Sequence, residues 1–160
     1  MKRIFIPLLA LLFAISSCST SRIATQYKNT INGTWVLQSI VSEGITGQVK
    51  ANLFNEQSAI CFNNSIWTLN SHTSLGTYTT SKTTNDCGVI TRNIRWSIYE
   101  SSNEPKEFQF KRLDNKLKAM DNGAGYRLAI VQVEANSFQL RSNLTFEGKN
   151  MSLLYTFIRK

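Results

Sequence analysis

One histidine, ten carboxylates and three cysteines are the groups through which this 160-residue sequence could do chemistry. A general base at His72 would need an orienting partner and a nucleophile within reach. His72 instead lies in the polar stretch Asn70-Ser71-His72-Thr73, and its nearest acids in sequence are Glu56 and Asp86. A solvated histidine at a turn is the better reading. One histidine without clustered thiolates also lacks the ligand set that a metal site requires. The carboxylates are scattered, with no paired arrangement of the kind that cleaves glycosidic bonds. Neither a Gly-rich phosphate loop nor a Gly-x-Ser-x-Gly elbow occurs. The expectation is therefore no enzyme, no cofactor and no metal.

The first cysteine has a context of its own. Met1-Lys2-Arg3 precedes the apolar stretch Ile4 to Ile15, and Ser16-Ser17-Cys18 follows. Cations, an apolar stretch too short for a permanent span and then small residues are the organisation of an export signal. Ile15-Ser16-Ser17-Cys18 resembles the lipobox of bacterial lipoproteins. That resemblance implies cleavage after residue 17, acylation of Cys18 and attachment to a membrane through its lipid; the alternative is an ordinary secretory signal that contains a cysteine. Several acyl chains on one residue anchor stably, since each buried methylene contributes about 0.8 kcal/mol. Ser19, not an aspartate, follows the cysteine, which by resemblance places the protein in the bacterial cell envelope, at the outer membrane and facing the periplasm. The expected organisation is a signal peptide (1–17), a flexible lipidated tether (18–31) and one domain (32–160).

Cys61 and Cys87 remain. An even pair in an oxidising compartment is a disulfide candidate, with two free buried thiols as the alternative. Stretches 59–69 and 75–81 read as a hairpin turning near Ser71–Thr73. Its ladder places Cys61 opposite roughly residue 84, and Cys87 lies just beyond. No Cys-x-x-Cys is present, which argues against redox catalysis.

The elements that must position these groups are strands. Phe138, Leu140, Leu144 and Phe146 alternate with polar residues, as do Met151, Leu153, Tyr155 and Phe157, which is the period of a half-buried strand. Strands are expected near 33–42, 59–69, 75–81, 92–100, 106–112, 124–134, 137–146 and 150–159. Segment 43–58 is long for a connection and has room for a short helix or an extra strand around Val49–Phe54. Eight antiparallel strands with short turns can close a barrel, which removes exposed edges. A two-sheet sandwich is the alternative, but its crossovers need longer connections. Closure requires 33–42 to pair with 150–159. Trp35, Trp67, Trp96, Phe108, Phe110, Phe138, Tyr155 and Phe157 are the expected interior residues. They either fill the barrel or line a cavity and contact a ligand.

The hydrophobic content of 42% excludes a wholly disordered chain, and the net charge is +8. Lys106, Lys111, Arg112, Lys116 and Lys118 gather around one strand, with Arg92 and Arg95 on the strand before. Export argues against nucleic acid as their partner. Between a stripe that faces lipid headgroups and an ordinary solvated face, the solvated face is favoured.

Asn32-Gly33-Thr34-Trp35 at the opening of the first strand resembles the Gly-x-Trp motif of lipocalins, in which the tryptophan closes the barrel base. The long 43–58 segment falls where lipocalins carry a large loop over the mouth. Cys61-Phe62 through Trp67-Thr68-Leu69, then Gly76-Thr77-Tyr78, Cys87, Ile94, Trp96, Phe108 and Phe110, is similar to the lipocalin-like lipoproteins common in Bacteroidetes. The resemblance spans residues 32–159. It implies an all-β, eight-stranded antiparallel up-and-down barrel on a lipidated tether, and a small hydrophobic ligand bound or carried in the envelope. An arginine that packs on the tryptophan in lipocalins would correspond to Arg159, for which an exposed charge is the favoured alternative. The competing function is an envelope interaction module with a filled barrel and no ligand. Interior volume discriminates: a void of several hundred cubic ångströms points to a carrier.

Overall fold

Alternating burial organises the sheet, as the sequence period requires. The computed structural model describes residues 21–44, 51–81, 84–101, 104–146 and 148–160. A helix, α1 (Arg22–Ile31), precedes β1 (Gly33–Glu43). A small hairpin of β2 (Asn52–Leu53) and β3 (Gln57–Ser58) follows. The remaining strands are β4 (Ser65–Leu69), β5 (Leu75–Thr79), β6 (Thr91–Tyr99), β7 (Glu107–Leu113), β8 (Tyr126–Val133), β9 (Ser137–Phe146) and β10 (Lys149–Arg159). All except β2 and β3 form one closed antiparallel barrel, in the order β1-β10-β9-β8-β7-β6-β5-β4. Closure rests on β1, which pairs with β10 on one side and β4 on the other. A bulge between Leu37 and Ser39 switches the inward positions of β1, so that Trp35, Leu37 and Ile40 all meet the core.

All eight expected interior aromatics are buried in one cluster. Trp35 meets Phe138 edge-on at 4.8 Å, and Phe138 stacks on Phe157 at 4.3 Å. Trp96 stacks on Phe108, and Trp67 on Tyr78.

Two expectations need correction. Residues 22–31, read as part of a flexible tether, are the helix α1. Ala24, Tyr27, Lys28 and Ile31 recur at helical spacing, and Ala24 and Ile31 are buried. Ser21 caps the helix by accepting from the Ala24 N–H at 3.1 Å. Ile31 joins the barrel core, its carbonyl accepts the Trp35 indole N–H at 2.7 Å, and Lys28 Nζ donates to Ser74 Oγ at 2.7 Å. The helix thus covers the end of the barrel where Trp35 sits. The expected strand 59–69 begins only at Ser65. Ala59–Phe62 is a 3₁₀ turn that buries Ala59, Cys61 and Phe62, a spacing that the alternation of a strand does not allow.

Cys61 and Cys87 form a disulfide with their Cα atoms 5.3 Å apart. It ties the turn after β3 to the loop before β6, as the hairpin geometry implies. Segment 43–58 contributes the β2–β3 hairpin within the described residues; residues 45–50 of the segment, which include the first two positions of the expected extra element, lie outside them.

Candidate functional site

The β2–β3 hairpin enters the barrel mouth, at the end opposite α1. Its tip closes with the Glu56 N–H donating to the Leu53 carbonyl at 2.9 Å, while Phe54 and Asn55 both hold φ 53°. That is a left-handed two-residue turn, a conformation that suits asparagine and costs a bulky side chain about 1–3 kcal/mol. Packing offsets the cost for Phe54. Its ring meets Phe110 at 4.9 Å, Tyr126 at 5.2 Å and Phe62 at 5.3 Å, and it also contacts Trp67 and Tyr155.

With Phe54 seated, the barrel interior beneath it is filled by the described residues. The void beneath it, lined by Phe54, Trp67, Phe108, Leu128, Tyr155 and their neighbours, has a volume of about 10 Å³. That is no more than one water-sized probe, and its walls are apolar. The interior aromatics therefore form a core while the hairpin is in place.

Beside the ring, the same turn delivers a charge. The Glu56 side chain is only 3% exposed and accepts from Arg92 Nε at 2.7 Å and Arg92 Nη2 at 3.2 Å. It accepts as well from Arg112 Nη1. Arg112, buried on the inner face of β7, also forms a two-point pair with Asp121, with Nε to Oδ2 at 2.8 Å. Tyr126 Oη donates to Asp121 at 3.3 Å. Two guanidiniums and two carboxylates thus alternate at the rim. The Arg112 guanidinium holds the Asp121 carboxyl below its ordinary value, and burial pushes the Tyr126 hydroxyl up. Deeper in, burial pushes Tyr155 up to about 12 while its hydroxyl shares a 3.0 Å hydrogen bond with Ser142. The buried Tyr78 hydroxyl has no hydrogen-bond partner among the described residues, and burial raises it too.

Gln57 locks the returning strand. Its side chain accepts from the Gly88 N–H at 2.8 Å and donates to the Gly88 carbonyl at 2.9 Å, next to the Cys61–Cys87 bridge.

A family model described as a lipocalin-like domain matches residues 31–141. The chain belongs to the lipocalin-like family. No curated protein matches it. Among solved structures it is similar to lobster apocrustacyanin A1, at 15% sequence identity with a TM-score of 0.44, over 85% of this chain and 64% of that one.

In this lipocalin-like barrel the Gly-x-Trp opening has a physical reason. Gly33 holds φ 126°, and a Cβ there would lie 2.7 Å from the Arg159 guanidinium. The absence of that carbon lets Arg159 lie over the Trp35 ring at 4.2 Å. Arg159 also donates to the carbonyls of Ala135, Asn32 and Thr30. The favoured reading of Arg159 as a merely exposed charge is corrected: one side meets solvent while the other closes the barrel base.

The basic stripe divides. Arg92 and Arg112 turn inward onto Glu56, contrary to the solvated reading, because Arg112 continues the inner face of Phe108 and Phe110, and Arg92 that of Ile94 and Trp96. Arg95, Lys111, Lys116 and Lys118 are exposed, and Lys106 pairs with Glu100 at 2.6 Å. His72 is exposed at the β4–β5 turn, where its N–H donates to Asn70 Oδ1. Cys18 lies outside the described residues. Phe54, Phe62 and the role of Glu56 escaped the sequence reading because their segment has no periodicity. The inward period of β6 and β7, extended by one step, was the available sign for the two arginines.

Proposed function

We propose that this lipocalin-like protein is a lipid-anchored carrier or sensor in a bacterial cell envelope, which takes a small apolar molecule into the barrel mouth in place of Phe54. The observation that carries this reading is the origin of the plug. Phe54 belongs to an inserted hairpin and not to a barrel strand, so it can leave without breaking the barrel. Its withdrawal would vacate space comparable to the ~150 Å³ that accommodates a benzene ring. The walls would be Trp67, Phe110, Tyr126 and Tyr155. The signal and lipobox support anchoring through Cys18 at the outer membrane, as in the lipoproteins of Bacteroidetes that the sequence resembles. The reading assigns no catalysis, because the mouth carboxylates are held by arginines and His72 stands on an exposed turn.

A second reading, an interaction module with a filled barrel, is favoured by the void of about 10 Å³. It would use the outer face of β6–β8, where a groove of about 780 Å³ is lined by Arg95, Gln109, Lys111 and Arg127.

The two readings part at Phe54→Ala. The carrier expects a loss of about 2–3 kcal/mol in stability, together with about tenfold tighter binding of the neutral fluorophore N-phenyl-1-naphthylamine. Absence of binding to both wild type and variant favours the module. Anchoring is tested separately: Cys18→Ala is expected to move the protein from the membrane to the soluble fraction or to leave it at the mass of the uncleaved precursor, and unchanged detergent partitioning of a chain cleaved as in wild type defeats it.

A further inference from the structure

The tip of the β2–β3 hairpin presents an aromatic ring and a carboxylate two residues apart, the ring in an apolar pocket and the carboxylate on two arginines. We infer that Phe54 and Glu56 act as an internal stand-in for the ligand, and that the ligand is an anionic amphiphile. Its apolar tail takes the place of the Phe54 ring, and its carboxylate takes the place of Glu56 on Arg92 and Arg112. The inference rests on the carrier reading and adds the chemical class.

Charge balance is the first argument. With the hairpin seated, Arg92 and Arg112 are matched by Glu56 and Asp121. When the hairpin leaves, one positive charge is unmatched beside apolar walls, which is unfavourable. A neutral ligand leaves it so, whereas one carboxylate restores the balance. Geometry is the second argument. Arg92 already grips Glu56 at two points, through Nε at 2.7 Å and Nη2 at 3.2 Å, and this fork fits any carboxylate.

The experiment is displacement of N-phenyl-1-naphthylamine from the full chain by dodecanoate and by dodecanol, two ligands with the same tail and different heads. Dodecanoate is expected to compete about tenfold more strongly. Glu56→Gln, which weakens the internal competitor, is expected to tighten dodecanoate by about tenfold more than dodecanol. Arg92→Gln, at a partly exposed side chain, is expected to bring the two to equal strength. Should Arg92→Gln fail to fold, the head-group comparison in wild type and Glu56→Gln decides alone. Equal displacement by both in those two proteins overturns the anionic class and leaves the carrier standing. No fluorophore binding to wild type or Phe54→Ala removes the carrier itself.

Discussion

Trp35→Ala is expected to lower the free energy of unfolding by about 3–5 kcal/mol, read from urea denaturation followed by the fluorescence of Trp67 and Trp96. The side chain is wholly buried against Phe138. Its loss leaves a cavity at the barrel base, removes the indole donor from the Ile31 carbonyl and takes away the surface on which Arg159 lies. Those partners belong to α1 and β10, so one substitution loosens the cover helix and the closing strand together. Trp35→Phe retains a ring without the N–H and is expected to cost less. Apolar ligand uptake should survive in molecules that remain folded, because Trp35 is at the end opposite the hairpin. A change below about 1 kcal/mol for Trp35→Ala would contradict the closed base.

Removing the Cys61–Cys87 bridge by the double substitution Cys61→Ser with Cys87→Ser is the second large effect. The sequence separation of 26 gives about 3.5 kcal/mol from lost chain entropy in the unfolded state. For a domain of this size that corresponds to roughly 10 °C in melting temperature, measurable by calorimetry. The loss should centre on the mouth. Cys61 follows the hairpin directly, and Cys87 precedes the Gly88 backbone that Gln57 clasps. Hydrogen exchange is expected to quicken at residues 52–62 before it does so in β9 and β10. Uniform quickening through the barrel would show that the bridge acts on the whole fold instead.

What the sequence revealed of this molecule follows from how far each feature depends on distant partners. In β9 and β10 the alternation is local and strong, and it leads directly to a half-buried hairpin and a closed barrel. The disulfide was legible because only one even pair remained after Cys18. The helix α1 was obscured because its buried face holds few large apolar residues, and most of its burial comes from resting on a barrel already formed. Phe54 was illegible because its position depends on a left-handed turn that no glycine announces. Arg92 and Arg112 read as surface charges. Strand alternation turns them inward, and what satisfies them there is Glu56, which the turn between β2 and β3 brings to them. Arg159 over Trp35 required the register of the first strand against the last, which the outline of the barrel does not contain.

The pairing of β1 with β10 also governs when the chain can become itself. A meander such as β8–β9–β10 can assemble from neighbours as they appear, but β1 must hold its backbone donors and acceptors open on one side until β10 has been made. Contacts between such remote segments make folding slow, on the scale of milliseconds to seconds. A nascent chain therefore passes through a period in which an apolar strand edge is unsealed, able to pair with anything extended nearby. Under the envelope role proposed above, in which the chain crosses a membrane unfolded, that delay would keep the barrel from closing on the wrong side.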